Sequence, residues 1–348
     1  LEHVIAPKPI EWSLDRLERS VREEGLVIDV GKLRELIEAL RAGKHVILIG
    51  PPGTGKTTLA KVLARSHDLQ EVVRTATAEW SRIDVIGGPL FVGNRVIWRT
   101  GCLLETVVKF YKPGPGKKGA LLIIDEINRA NLDRAFGEFF TVFGSSNPED
   151  WEIPSSTLEE IREYGNNIDR CAREALRLWE KFKGKGGGLK VPNDMRIVAT
   201  MNTYDRRYLF TLGYALLRRF AVIELTNPPD NEIKDILRRY CEMEGIKDES
   251  IKEDIVDKVV KFYNNLKDIG LELGVSLLID VVKLACSFVK TDKNTVGAID
   301  RALKAIILVQ FEELSKARLK EVAEVLNKLG YSGSHDAFRR LYFEVYGQ

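Results

Sequence analysis

HVILIGPPGTGKTTLAKVLARSH, residues 45–67, joins a short apolar run, a glycine-rich turn and an amphipathic helix. The run VILI is rich in β-branched residues, as expected of a strand that is buried on both faces of a parallel sheet. The turn matches the phosphate-loop pattern G-x-x-x-x-G-K-[ST] in full. After it, Leu59, Val62 and Leu63 recur at helical spacing. The segment therefore predicts a strand, a phosphate-binding loop and a helix in succession.

This arrangement suits the phosphates of a nucleotide. Glycines let backbone N–H groups close around the β-phosphate, and the helix N-terminus adds its dipole. Lys56 brings a positive charge to the β- and γ-phosphates, and Thr57 offers a hydroxyl to Mg²⁺. The predicted nucleotide-binding residues are Gly50, Pro51, Pro52, Gly53, Thr54, Gly55, Lys56, Thr57 and Thr58.

A second apolar strand, in GALLIIDEINRAN (119–131), ends on two carboxylates. Acidic residues at the end of a central strand are costly unless they face a ligand. Asp125 is predicted to join the Mg²⁺ shell and Glu126 to polarise the attacking water. The alternative is a helix N-cap, because aspartate is also favoured at that position.

A third apolar run, MRIVATMN, ends on polar Asn202 and continues into YDRR (204–207). The carboxyl ends of parallel strands gather at one edge of a sheet, where ligands bind. We therefore expect Asn202 to lie beside Glu126 and to help orient the water. A loop-capping asparagine is the alternative.

Composition bounds the class of protein. The chain has 348 residues, enough for two domains, with 44% hydrophobic and 30% charged residues. Its net charge of +2 excludes a strong overall basic field for nucleic acid. Its four cysteines are not at CxxC spacing, and its four histidines are scattered, which argues against a zinc site. Reduced cysteines, no signal peptide and no membrane-spanning stretch predict a cytoplasmic protein. The chain begins with Leu, so an N-terminal domain could precede it.

The predicted fold class is α/β: a three-layer parallel-sheet nucleotide-binding domain with a C-terminal α-helical lid. Residues 1–30 read as an N-terminal arm and one charged helix, residues 31–227 as alternating strands and helices, and residues 228–348 as the lid. The sharp breaker NPPD marks the boundary between the two domains.

Two insertions are predicted within the nucleotide-binding domain. Residues 87–101 alternate around VGNR, which favours a hairpin with Asn94 in its turn. Residues 145–193 are expected to hold one helix from about Leu158 to Phe182, followed by KGKGGG. That glycine-rich stretch is typical of a flexible connector, or it faces a pore or partner.

The order of the phosphate loop, LLIIDE, Asn202 and ALLRRF resembles the AAA+ NTPases. Within them, IIDEINRANLDRAFGE and MNTYDRRYLFTLGYALLRRFAVIEL resemble the McrB branch, the motor subunit of a modification-dependent restriction system. The related MoxR branch shares DEINRA but normally lacks MNTxDR.

The resemblance implies roles for matching residues. Asn202 corresponds to sensor 1, and Asp205 and Arg206 complete the McrB-type loop. Arg218 or Arg219 corresponds to the arginine finger, which reaches the γ-phosphate bound by a neighbouring subunit; a basic helix end is the alternative. The segment GVSLLIDVV departs from the family, because it lacks the sensor-2 arginine of many relatives.

Three functions are compatible with these residues. The favoured hypothesis is an ATP- or GTP-hydrolysing homo-oligomeric ring, expected to be hexameric, with Mg²⁺ as cofactor and a McrC-like nuclease subunit as partner. DNA would be reached through the ring pore or a missing N-terminal domain, and no membrane is involved. The alternatives are a MoxR-like remodeller of protein complexes and a nucleotide-gated scaffold that does not turn over.

Overall fold

A computed structural model describes residues 7–202, 218–311 and 314–346. The chain divides into two compact units. The first comprises Leu1–Gly50 and Lys56–Leu225, and the second comprises Pro51–Gly55 and Thr226–Gln348. The phosphate loop between Gly50 and Lys56 thus belongs to a different unit from the strand and the helix that flank it.

The first unit is built on a five-stranded parallel sheet, in which the strands lie side by side in the order 69–75, 119–125, 196–202, 45–50 and 220–224. This architecture confirms the predicted α/β class. The elements of this unit, in chain order, are α1 (Leu14–Glu23), α2 (Val30–Arg41), β1 (His45–Gly50), α3 (Lys56–Ser66), β2 (Leu69–Thr75), α4 (Arg82–Val85), β3 (Gly87–Val92), β4 (Arg95–Thr100), α5 (Cys102–Tyr111), β5 (Gly119–Asp125), α6 (Leu132–Val142), β6 (Glu152–Ile153), α7 (Ser155–Glu163), α8 (Arg170–Lys181), β7 (Leu189–Lys190), β8 (Arg196–Asn202) and β9 (Phe220–Glu224).

The three central strands are buried along almost their whole length. Every residue of β1 is buried, and β5 and β8 become accessible only at their last residues, Asp125 and Asn202. Strands covered on both faces need continuous apolar sequence, which explains why VILI, ALLII and IVATM carry no alternation. Because all five strands are parallel, their polar last residues meet at one edge of the sheet.

Of the two predictions made for the insertions, the first is confirmed and the second is wrong. The expected hairpin is present: β3 and β4 pair antiparallel, and Gly93 occupies the turn with φ of +57°. The single helix expected from Leu158 to Phe182 is wrong, because the structure has two helices, α7 and α8. Gly165 (φ +56°) breaks the run, and Asp169 begins α8 as its N-cap.

The glycine-rich stretch after α8 is fastened at several points. The Trp179 indole Nε1 donates to Gly187 O at 2.7 Å, and Gly186 N donates to a Glu152 carboxylate oxygen at 3.1 Å. Trp179 and Trp151 are both buried. This region therefore packs on its own domain.

The segment before α1 is part of the core of the first unit. Trp12 is 3% exposed, its ring centroid lies 5.2 Å from that of His67, and its carbonyl accepts from Arg41 Nε at 3.0 Å. The ring of His67 accepts the Ser13 N–H at Nε2 (2.9 Å), so its proton sits on Nδ1, 3.0 Å from Leu63 O. One neutral tautomer of His67 thus joins the N-terminal segment to the end of α3.

The second unit is helical in its described part. Its helices are α9 (Asp230–Met243), α10 (Glu249–Asp268), α11 (Val275–Asp292), α12 (Thr295–Ile306), α13 (Lys316–Lys328) and α14 (Ser332–Tyr346). Apolar positions at helical spacing form its core, for example Val259 and Phe262 on α10 and Leu278 and Val282 on α11. Among the described residues, no helix has both the length and the apolar character needed to cross a bilayer.

Acidification is expected to weaken the N-terminal packing through His67. Burial, and to a smaller extent the nearby Arg16 charge, lowers the pKa of His67 below its usual value. The backbone hydrogen bonds to Leu63 and Ser13 and the Asp68 charge act in the opposite direction but do not cancel the shift. The imidazolium also cannot accept the Ser13 N–H. Because the pKa of His67 is lower in the folded than in the unfolded protein, its contribution to stability is complete above the unfolded pKa of about 6.5. This contribution is lost as the pH falls through the folded pKa.

We therefore predict that the free energy of unfolding at pH 7.5 is about 1–3 kcal/mol higher for wild type than for His67→Phe, since the variant leaves the half-buried Ser13 N–H without its histidine acceptor. This advantage should shrink towards pH 5. Thermal midpoints of both proteins across this range give the measurement, and the difference between them cancels all other titrating groups. A difference that stays constant with pH would contradict the prediction.

Candidate active site

The Asp125 carboxylate, at the end of β5, is held by two hydroxyl groups. Thr57 Oγ1, in the first turn of α3, donates to Asp125 Oδ1 at 2.6 Å. Thr200 Oγ1, near the end of β8, donates to the same oxygen at 2.5 Å. The structure thus brings together the threonine and the aspartate that the sequence predicts as magnesium ligands.

Thr200 was not singled out in the sequence. Its hydroxyl both donates to Asp125 and accepts the backbone N–H of Glu126 at 3.1 Å. The residue is 1% exposed. A lone threonine inside the apolar run IVATM, two positions before Asn202, was the available signal, because a buried hydroxyl needs partners.

Glu126 adopts a backbone conformation that is rare for a residue with a side chain. Its φ and ψ are 53° and 48°, in the left-handed region, immediately before a 3-10 turn at Ile127–Arg129. Such a conformation costs of order 1 kcal/mol or more and persists where the surroundings fix it. The Glu126 Oε2 atom lies 2.6 Å from Arg129 Nε. Arg129 therefore pairs with the predicted water-polarising carboxylate.

Lys56 is the most buried cation of the cluster, at 8% exposed. Its Nζ donates to Gly50 O, the last residue of β1, at 2.9 Å. Burial lowers the pKa of Lys56 to about 8, although the Asp125 and Glu126 charges act to raise it. A cation kept in so little water interacts strongly with an incoming anion.

Asn202 lies at the same sheet edge. It ends β8 and faces Gly50 across the β1–β8 ladder. Thr58 follows Thr57 in α3 and is half-buried. The predicted Asp205 and Arg206 lie outside the described residues.

The phosphate loop itself is a tight turn within the second unit. Thr54 donates to Pro51 O from both its N–H (3.3 Å) and its hydroxyl (2.9 Å). Gly53 and Gly55 have φ of +81° and +80°, values that favour glycine. The glycines of the motif are thus needed for the backbone path of the loop.

The two candidate arginine fingers have different surroundings. The Arg219 guanidinium donates to the carbonyls of Phe143 and Gly144, at the end of α6, the latter at 2.9 Å. Arg218 is exposed, and its backbone carbonyl accepts from Lys44 Nζ at 3.0 Å. In the isolated chain, Arg219 acts as a C-terminal cap of α6.

Beside Arg219, His45 stands in a ring of aromatic side chains. The His45 ring centroid lies 4.5 Å from that of Phe143 and 5.1 Å from that of Trp151. Burial first, then the charges of nearby arginines and a lysine, lowers its pKa well below the usual value. A neutral histidine lets the Arg219 charge lie close to this cluster.

The donor set at Asp125 fits a magnesium ion. A threonine hydroxyl and a carboxylate are hard oxygen ligands, and Mg²⁺ typically takes one or two carboxylates together with phosphates and water. In the part of the chain that the structure describes, no group of three or more His, Cys, Asp or Glu is arranged to hold a metal ion. Thr57 and Asp125 would therefore hold magnesium only jointly with a bound nucleotide.

Comparison with known families assigns the fold. A family model described as "AAA domain (dynein-related subfamily)" matches residues 45–220, about half of the chain. The chain belongs to this AAA family. It is accordingly a P-loop nucleoside triphosphatase by class, as its sequence predicts.

The comparison with individual proteins supports the predicted branch. The chain is 31% identical over 208 residues to the "Type IV methyl-directed restriction enzyme EcoKMcrB subunit" of Escherichia coli K12, covering 58% of this chain and 39% of that protein. It is 26% identical to the proteasome-activating nucleotidase of Methanococcus maripaludis, covering 60% of this chain and 40% of that protein. The chain thus spans about two fifths of the length of these relatives. The AAA+ recognition, with its McrB-like character, is confirmed.

A solved structure titled as the Thermotoga maritima RuvB Holliday junction branch migration motor also matches. The TM-score is 0.46 at 18% sequence identity, and the match covers 94% of this chain and 91% of that one.

The affinity for nucleotide is expected to fall above pH 8. The protonated amine of Lys56 binds phosphate, and its pKa in the free protein is about 8. Below this pH the dissociation constant should stay level; above it, the constant should rise by up to about tenfold per pH unit.

Titration with a fluorescent nucleotide analogue from pH 7 to 9.5 measures this profile. Lys61→Met, on the same helix, is the matched control and should keep the wild-type profile. Lys56→Met should lose binding at every pH. A level wild-type profile up to pH 9.5 would rule out this account of Lys56.

Proposed function

We propose that this chain is the motor subunit of an oligomeric ring that hydrolyses ATP or GTP and drives a nuclease partner on DNA. The observation that carries the hydrolytic part is the bonding of Thr57 and Thr200 to Asp125, with Glu126 next in sequence. This cluster unites the ends of α3, β5 and β8, and it holds a metal-binding oxygen pair beside a second carboxylate.

The residues of this cluster divide the work of phosphoryl transfer. Phosphates bind the loop 50–58, and Lys56 neutralises their charge. Thr57 and Asp125 would hold a magnesium ion, which would supply positive charge to the bound phosphates. Glu126 takes a proton from the attacking water, and the Arg129 guanidinium, 2.6 Å away, holds the carboxylate in position. Asn202 orients the water.

Turnover in this proposal depends on assembly. An arginine donated by a neighbouring subunit stabilises the charge that develops on the γ-phosphate. Arg218 and Arg219 are the candidates, with Asp205 and Arg206 as further contributors from the McrB-type loop. Hydrolysis per subunit should then rise with protein concentration as the ring, expected to be hexameric, assembles.

The biological task follows from the relative with 31% identity, which is a restriction enzyme subunit. By analogy, the partner is a McrC-like nuclease, and DNA is reached through the ring pore or a domain outside this chain. ATP and GTP are both candidate substrates of the proposed motor.

A second function, remodelling of protein complexes, is favoured by one observation. The tip of the β3–β4 hairpin exposes apolar side chains, with Phe91 at 78% and Val92 at 52% exposed. Exposed apolar tips are suited to contact with protein rather than with nucleic acid.

Phosphate release from ATP and from GTP, with Mg²⁺ and across protein concentrations, tests the proposal. Glu126→Gln should lower turnover at least about a hundredfold while nucleotide binding persists, because the amide cannot accept the proton. Glu163→Gln, exposed on α7, is the matched control.

Strong preference for GTP with a concentration-dependent rate supports the McrB-like motor, and preference for ATP favours the remodeller. Tight binding with negligible wild-type turnover would replace both by the nucleotide-gated scaffold. Full activity of Glu126→Gln would remove Glu126 from the proposed chemistry.

The arginine finger is tested by mixing variants. Arg218→Ala or Arg219→Ala should bind nucleotide and lose most turnover. Adding Lys56→Met subunits, which are defective only in their own phosphate site, should restore part of it, because they donate intact arginines to their neighbours. Arg219→Ala should in addition lower the thermal midpoint, since Arg219 caps α6. Absence of rescue for both variants would sink the assignment.

A further inference from the structure

The first turn of α11 is bonded to the backbone of the phosphate loop, within the second unit. Gly274 N donates to Pro52 O at 2.7 Å, and Ser276 N donates to Gly53 O at 3.2 Å. The Ser276 hydroxyl donates to the same Gly53 carbonyl. Three donors from one helical turn are therefore used on two carbonyls of the loop.

The two backbones are in direct contact. A Cβ added at Gly274 would lie 2.0 Å from the Gly53 carbonyl carbon, and one added at Gly53 would lie 2.7 Å from Leu277 Cγ. Side chains at either position would push the loop away from the helix. Two glycines far apart in sequence are thus required for one contact.

Asn227 fixes the start of α11 from the other side. Its Nδ2 donates to Leu273 O at 2.7 Å, and its Oδ1 accepts from Val275 N at 3.2 Å. Its Nδ2 also lies 3.1 Å from a Glu272 carboxylate oxygen. An amide that bridges both neighbours of Gly274 holds that glycine in place for the loop.

The hydrogen bond to the Pro52 carbonyl also fixes the direction of the Gly53 N–H. In a trans peptide, the carbonyl and the following N–H point in opposite directions. Because Gly274 holds the Pro52 carbonyl, the Gly53 N–H points away from α11. Phosphate loops bind anions with such N–H groups, so the helical turn sets the direction of a phosphate-binding donor.

We propose that Ser276, supported by Gly274 and Asn227, is a positioning residue that holds the phosphate loop in its anion-binding shape. The inference rests on the proposed nucleotide binding, and it adds a residue of the helical unit that sets the affinity for nucleotide. Ser276 lies in GVSLLIDVV, the segment that lacks an arginine, and it acts on the loop backbone, so its effect should be independent of the base.

The test compares Ser276→Ala, Ser276→Thr and Ser287→Ala, the last being an exposed serine on the same helix. Ser276→Ala should raise the dissociation constants for ATP and GTP by the same factor, about five- to twentyfold, since one hydrogen bond to the loop is lost. Turnover at saturating nucleotide should stay within about twofold of wild type. Ser276→Thr keeps the hydroxyl and should restore affinity, and Ser287→Ala should match wild type.

Gly274→Ala provides a second variant, with a larger expected loss of affinity, because its Cβ displaces Gly53. Thermal midpoints without nucleotide separate loss of positioning from loss of folding: a purely structural role lowers the midpoint without changing affinity in the folded protein. Wild-type affinity in both Ser276→Ala and Gly274→Ala overturns this inference and leaves the proposed function intact. Failure of wild type to bind either nucleotide overturns the proposed function, and this inference with it.

Discussion

The Asp125 carboxylate at the end of a buried strand is the constraint on which the rest of the site depends. A carboxylate that is even partly removed from water is costly unless other groups form hydrogen bonds to it. Here the Thr57 and Thr200 hydroxyls supply those bonds, 2.6 and 2.5 Å from the same oxygen. Three segments far apart in sequence are thereby brought together at the sheet edge. The same two hydroxyl groups therefore offset the cost of placing the charge there and hold the carboxylate in position for a metal ion.

The conformation of Glu126 follows from this cluster. Its N–H donates to the Thr200 hydroxyl, which is fixed by its own bond to Asp125. The left-handed backbone at φ 53° then turns the chain sharply, and Arg129 comes within 2.6 Å of the Glu126 carboxylate. Strain at a single residue persists because the bonds on both sides determine its position. Two adjacent carboxylates can thus hold separate roles.

Local sequence patterns were sufficient to predict the parallel sheet, the phosphate loop and the acidic pair, because each rests on neighbouring residues. They did not reveal Thr200, whose partner Asp125 lies 75 residues away. Nor did they reveal Ser276, whose partner Gly53 is 223 residues distant. The break between α7 and α8 was missed because apolar spacing continues across Gly165. The partners in these two long-range contacts are set by the folded chain, and residues next to Thr200 or Ser276 in sequence do not identify them.

The phosphate loop is the segment in which the α11 contact and the proposed nucleotide binding meet. Residues 51–55 belong to the helical unit, whereas Lys56 and Thr57, which follow directly, belong to the sheet unit. Coupling between two bound groups is reciprocal. If the α11 contact raises nucleotide affinity by some factor, bound nucleotide must strengthen that contact by the same factor. Hydrolysis and release would then weaken the hydrogen bonds that α11 makes to the loop. In the proposed motor, each cycle of nucleotide states would therefore strengthen and then weaken this one contact within the helical unit.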